Sequence, residues 1–227
     1  MARRLKHPRR FRWLIIYLLL SATTTVIALA VVGAATCRPS WYAPAAIDRS
    51  RLNEDKRELA RLFDQISAAL NADESIEFEL PEDRLNRWLV ERAELWPGWQ
   101  VDIEGLTDPQ VNLLPGDRIR LAATASRGPV TAILSAVGRF ELTPNELLIH
   151  VEAVRSGELP VLRSQVLKPL GKSLPRESDG QALLAGDTLR IRNEWVWQNG
   201  KRPFRVGRLE IRDQTAYVRF DPLDGWR

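Results

Sequence analysis

The feature that most constrains this chain is a run without charge. From Trp13 to Thr36 there is no acidic or basic side chain. As a helix, that run would extend about 36 Å at the usual rise per residue, against a bilayer core of about 30 Å. The residues before it hold Arg3, Arg4, Lys6, Arg9, Arg10 and Arg12 and no acid. Basic flanks stay on the cytoplasmic side. The pattern therefore predicts a basic cytoplasmic tail at residues 1–12 and a transmembrane helix at 13–36, with Trp13 and Tyr17 at the interface. The expected location is the cell's inner membrane, single-pass, with the N-terminus cytoplasmic and the C-terminal domain extracytoplasmic. Ser21 and Thr23 to Thr25 can bond back to the carbonyls of their own helix. Two alternatives stay open. A cleaved signal peptide usually has an apolar core of about 7–15 residues, shorter than this run, yet Gly33-Ala34-Ala35 would permit cleavage. Lipidation of Cys37 is the other, with Thr36 a poor fit just before the cysteine.

The distribution of charge then removes one class of partner. The chain has 33 basic and 29 acidic residues, but six of the basic ones lie in the first twelve positions and none of the acids do. Residues 37–227 are left with 27 basic groups against 29 acidic ones, a net of −2. Nucleic-acid binding needs a basic face on the folded domain, and the sum predicts no nucleic-acid partner. The basic tail is explained by topology and by attraction to anionic headgroups. Cys37 is the only cysteine, so no disulfide closes within the chain. The outer domain must rely on its apolar core, for which roughly 190 residues are ample.

Beyond the charge-free run, residues 37–49 contain Pro39 and Pro44 and read as a juxtamembrane linker, with Trp41 and Tyr42 near the headgroups. Residues 50–227 read as one extracytoplasmic domain. Leu52, Leu59, Leu62, Phe63, Ile66 and Leu70 form one helical stripe to about Asn71, after a cap at Asp48 or Ser50. Ser75 to Leu80 alternates as a strand. A short helix follows from Glu82 to about Glu94, with Leu85, Trp88 and Leu89 inward. From Gln100 to Val154, apolar alternations separated by Thr107-Asp108-Pro109, Pro115-Gly116-Asp117, Arg127-Gly128-Pro129 and Thr143-Pro144-Asn145 predict an antiparallel meander. Within it, Val130 to Phe140 is the least polar strand, fit for a central position or for lining an apolar cleft. A third helix is expected over Val161 to Leu174, kinked or shortened at Pro169. More strands close the chain: Thr188 to Trp197, a turn at Asn199-Gly200, Phe204 to Ile211, and Ala216 to Phe220.

Catalytic chemistry finds little support. His7 is in the tail, and His150 shares the outward face of a strand with Glu152. No Gly-x-Ser-x-Gly precedes it, and neither phosphate-loop nor dinucleotide glycine motif occurs. Clusters of Cys and His for a metal are lacking. Glu77 with Glu79, and Asp102 with Glu104, could act as paired carboxylates, but alternation with apolar neighbours explains each as a wet strand face. The chain is expected not to be an enzyme and to need no cofactor and no metal. Its eight tryptophans are more suggestive. Trp88, Trp96 and Trp99 cluster in sequence, and Trp195 and Trp197 share a strand face. They serve either as packing or as an aromatic lining.

The order of these segments, with Leu80-Pro81-Glu82-Asp83-Arg84-Leu85-Asn86-Arg87-Trp88-Leu89 and Gly157-Glu158-Leu159-Pro160-Val161-Leu162, resembles the YpmS-like bacterial membrane-anchored envelope proteins. That family has no assigned function, and its organisation is similar to tubular lipid-binding domains. The resemblance implies a curved antiparallel sheet wrapping a helix and leaving an apolar groove. It carries over no catalytic residue. The proline-bearing third helix and extra tryptophans depart from the pattern and bear on the groove's shape.

The expected fold class is therefore α+β: an N-terminal transmembrane helix, then a curved antiparallel β-sheet packed around amphipathic helices. The expected function is binding of lipid or another apolar ligand at the cell envelope, in a groove between the 52–71 helix and the concave sheet. Its lining would be Leu62, Phe63, Ile66, Trp88, Ile133 and Val137. Expected partners are the membrane and a lipid or acyl-chain ligand. The alternative is a non-catalytic structural or assembly protein, docking an envelope protein through a sheet edge or the transmembrane helix.

Overall fold

A computed structural model describes residues 9–95, 106–128, 130–164, 167, 182–197 and 202–223. Its elements are α1 (Arg9–Thr36), α2 (Leu52–Asn71), β1 (Ile76–Pro81), α3 (Glu82–Val90), α4 (Arg92–Leu95), β2 (Leu106–Leu114), β3 (Arg118–Arg127), β4 (Val130–Leu142), β5 (Glu146–Ser156), β6 (Leu159–Pro160), β7 (Ala182–Ala185), β8 (Thr188–Arg192), β9 (Trp195–Val196), β10 (Pro203–Arg212) and β11 (Thr215–Pro222).

Two expectations about the fold class are corrected here. Strands outnumber helices among the described residues and every strand pairing there is antiparallel, so the fold is mainly antiparallel β. Further, no helix among the described residues is long and apolar enough to cross a membrane. The side chains of α1 are described only from Thr23 onward, and that stretch opens on three threonines. Three successive hydroxyls make that stretch less apolar than the absence of charge alone suggests.

The strands form two sheets instead of one curved sheet around a helix. The larger has the order β2-β3-β4-β5-β8-β7, with β6 paired to β5; the smaller has the order β1-β11-β10-β9. The meander β2 to β5 arises as its turns predict, with Asp117 and Gly116 at positive φ in the β2–β3 turn. Asp and Gly tolerate that backbone region better than other residues. Of the two places open to it, β4 takes a central one, between β3 and β5, and its Val137 also lines a pocket. The smaller sheet depends on a distant pairing, Ile76 with Phe220 through Pro81 with Thr215. No local pattern announces such a register. The strand expected over Thr188 to Trp197 divides at buried Asn193. The Asn193 amide nitrogen donates to Thr143 O and Val206 O at 3.0 and 2.9 Å, and its Oδ1 accepts from Val206 N at 2.8 Å. One carboxamide thus ties the two sheets.

One face of the smaller sheet is covered and the other is wet. At one end, α2 lays Ile66 and Leu70 on Phe204, with Leu62, Ile76, Phe78, Trp195, Trp197 and Phe220 packed around them. At the other end, Ile211 and Ala216 meet Val111 and Leu113 of the larger sheet, with Leu85 and Leu89 of α3 alongside. The α3 helix also closes the β2 edge. Asn86 accepts from Val111 N at 2.7 Å and donates to Val111 O at 2.8 Å, and the Glu82 carboxylate accepts from Leu113 N at 2.6 Å. These side chains replace a missing strand, so the edge is not left as a pairing template.

At the start of α2 the side-chain cap expected from Asp48 or Ser50 does not form, and those two residues bond to each other instead. Asp48 accepts from the Ser50 amide and hydroxyl at 3.0 and 2.6 Å, and Arg51 occupies the N-cap position. The short helix expected to end near Glu94 is split into α3 and α4. Most of the third expected helix, the Asn199-Gly200 turn, Trp96, Trp99, Asp102 and Glu104 lie outside the described residues.

Candidate anion-binding site

The six residues expected to line one groove do not meet. Leu62 and Ile66 are in the packed layer under α2, and Phe63 stands edge-on to Trp197 at 5.5 Å between ring centroids. Trp88 is buried on α3. Ile133 is buried beneath Tyr42 and Ala122, on a different sheet from α2. Val137 lines a separate pocket on that second sheet. The α2 stripe is filled by aromatic rings of the smaller sheet, and this occupies the space where a groove was expected.

The pocket holding Val137 is the candidate site. Its cavity of about 480 Å3 is lined by Trp41, Leu114, Pro115, Arg118, Arg120, Ser135, Val137, Glu152, Ala153 and Arg155. The volume lies in the usual range for a small-molecule site. Strand registry builds it. Arg118 and Arg120 are two apart on β3 and share a face. Arg118 pairs with Arg139 and Arg120 with Val137, while Ser135 pairs with both Ala122 and Arg155. Three adjacent strands therefore send arginines to one side.

A strap encloses one side of this cavity. Within residues 37–49, expected as a juxtamembrane linker, the segment around Trp41 to Ala43 crosses the larger sheet. Tyr42 is only 3% exposed, and its hydroxyl donates to Asp108 O at 2.6 Å and lies 2.9 Å from the Thr124 hydroxyl. Buried Gln110 clamps the strap's backbone, accepting from Ala43 N at 2.8 Å and donating to Trp41 O at 3.2 Å. These bonds hold the Trp41 ring over the sheet, where the Arg120 guanidinium stacks 4.2 Å from its centroid.

The electrostatics are uneven. The lining carries three arginines against one glutamate. Glu152 is shared at long range, 3.9 Å from Arg118 and 3.6 Å from Arg139. Arg155 reaches Glu158 at 3.9 Å. Arg120 forms no ion pair and donates no hydrogen bond among the described residues, its ring contact apart. Burial lowers its pKa from the usual guanidinium value and the charge of Arg155 lowers it further, while the charges of Glu158 and Glu82 offset part of this. A half-buried guanidinium has five donors and gains strongly from a charged acceptor. The alternating Arg118 and Arg120 were visible in the sequence, but the strands that add Arg155 and Arg139 required the register.

Other chemically suggestive groups do not assemble a reaction centre. His150 contacts Glu141 at 2.9 Å and Thr188 at 3.1 Å on the outer sheet face. Glu77 and Glu79 are exposed on β1. Among the described residues no group of His, Cys, Asp and Glu could hold a metal ion. Buried Asp55 and Glu91 approach Arg87 and one another between α2 and α3; burial, then the Asp55 charge, raises the Glu91 pKa.

No protein-family model matches the chain, and no curated protein or solved structure matches it. The resemblance to YpmS-like proteins thus rests on the quoted motifs alone.

Proposed function

We propose that this chain is a non-catalytic module that binds a lipid or related amphiphile at the surface of the cell envelope. The observation that carries this reading is Arg120: a half-buried cation without an acid partner among the described residues, facing a pocket that also contains Trp41, Leu114, Pro115 and Val137. An amphiphile would satisfy both halves of that lining. Its acidic end would supply acceptors to the arginines, and its apolar part would cover the indole and aliphatic side chains. Each buried methylene would add about 0.8 kcal/mol. The pocket replaces the apolar groove expected from the sequence as the place of binding.

Proximity to a membrane surface is supported by two further features. The first twelve residues are strongly basic and acid-free, and each basic group near an anionic surface adds about 1 kcal/mol of attraction. Val26, Ile27, Leu29, Val31 and Val32 of α1 are exposed. The C-terminal end of α1 abuts the hairpin next to Arg155: Glu158 N donates to Ala34 O at 3.1 Å and the Ser156 hydroxyl to Ala35 O at 3.2 Å.

Native mass spectrometry of the full chain, extracted gently from membranes, tests the reading. A retained acyl-bearing mass, reduced in Arg120→Gln, is expected. A chain that carries no amphiphile from any membrane fraction, and takes none up from mixed vesicles, would overturn it.

A further inference from the structure

Resting on the amphiphile reading, we propose that the acidic end of the ligand is a phosphomonoester dianion, held by Arg118, Arg120 and Arg155. The charge count favours a dianion: with the ion-paired neighbours included, Arg118, Arg120, Arg139 and Arg155 against Glu152 and Glu158 leave two positive charges to match. A phosphomonoester carries about −1.5 to −2 near neutral pH, whereas a carboxylate or phosphodiester carries one charge. The arrangement of donors favours a tetrahedral acceptor as well. Arg118 and Arg120 stand about 7 Å apart along β3, and Arg155 lies two strands away, roughly 10 Å across the sheet. Guanidinium groups from two strands that line one pocket supply many donors, which suits an anion with several terminal oxygens. A planar carboxylate would be satisfied by one fork. Trp41 fixes the Arg120 plane by stacking at 4.2 Å, which lowers the entropy cost of ordering that side chain. The same phosphoryl chemistry exists in phosphatidate and in small soluble esters such as glycerol 3-phosphate.

The test is flotation of the full chain with phosphatidylcholine vesicles carrying phosphatidate, or phosphatidylglycerol at equal surface charge, with glycerol 3-phosphate as competitor. Equal charge cancels the contribution of the basic N-terminal segment. Phosphatidate should be preferred about tenfold, the scale of one charge-assisted contact. The preference should vanish in Arg120→Gln and in Arg155→Gln, and glycerol 3-phosphate should compete. Arg155 is half-exposed, so its variant keeps the test decisive if Arg120→Gln misfolds. Equal binding of both anionic vesicles, unchanged by either variant, would overturn the phosphomonoester while leaving lipid binding intact. Binding of glycerol 3-phosphate without any vesicle binding would support the phosphomonoester and overturn the lipid reading.

Discussion

Both sheets turn an arginine-bearing face to water, and the two faces are built differently. On the smaller sheet, each arginine has an acid. Arg208 reaches Glu210 at 2.6 Å and Glu77 at 3.6 Å, Arg212 pairs with the same Glu210, and Arg219 and Arg205 share Asp221. On the larger sheet, Glu152 serves two arginines at long range, and Arg120 is left with an indole. The smaller face has satisfied its own electrostatics; the larger has donors to spare. An arginine count therefore does not identify a site, and the pairing of each arginine does. The near-neutral sum over residues 37–227 conceals this, since surplus acid elsewhere cancels surplus base at the pocket.

The largest expected effect lies on the satisfied face. The bulge in β10 between Val206 and Arg208 contains Gly207, where an added Cβ would overlap the Asp221 carboxylate. Asp221 also accepts from Ser75 at 2.8 Å. Gly207→Ala must displace that carboxylate from its partners and should cost about 2 kcal/mol in urea unfolding. Binding at the pocket should be unchanged. A loss of binding in a folded variant would mean that the two faces are not independent.

Next in size is Tyr42→Phe, which leaves the Asp108 carbonyl and the Thr124 hydroxyl without their buried partner. The expected cost is about 1–2 kcal/mol by thermal denaturation. Ligand affinity should fall in parallel, because Trp41 would lose its anchor. Unchanged affinity would show that the strap does not shape the site.

A smaller effect concerns the third place where charge is incompletely matched, between α2 and α3. Among the described residues, Asp55 Oδ2 and Glu91 Oε2 have no hydrogen-bond partner, and the Glu91 pKa is raised, chiefly by burial. The folded state thus binds the Glu91 proton more tightly than the unfolded chain. Stability falls as pH rises from the ordinary carboxylate range through the raised value, and the full cost stands above it. Glu91→Gln should stabilise the protein by about 1 kcal/mol near neutral pH. That gain should fade toward about pH 4, below the ordinary value of 4.5. Denaturant unfolding of both forms at the two pH values measures it. A gain that is independent of pH would assign the effect to packing.

Much of the local structure was legible. The stripe from Leu52 to Leu70 became α2, and turn residues divided β2 through β5, because both patterns are set by neighbours in the chain. The wet alternation of Glu77 and Glu79 was also readable. The two-sheet arrangement was not, since β1 finds β11 some 140 positions later and its alternation suits any antiparallel partner. The candidate groove failed for the same reason. Phe63 and Ile66 needed a covering surface, and nothing local distinguished an apolar ligand from the Trp197 and Phe204 rings that cover them. Trp41 was read as a headgroup contact from its place after the uncharged run. Its role beneath Arg120 depends on Gln110 and Tyr42, which clamp the strap only after β2 and β3 have paired.

The most direct measurement is the thermal midpoint of the full chain and of Arg120→Gln and Arg208→Gln, each titrated with a short-chain phosphatidate against chloride of equal ionic strength. The account predicts that the wild type and Arg208→Gln rise by a few degrees, as selective binding to the folded state requires, while Arg120→Gln stays where chloride leaves it. Equal rises in all three proteins, or a rise lost only in Arg208→Gln, would contradict the assignment of the unpaired arginine as the centre of the site.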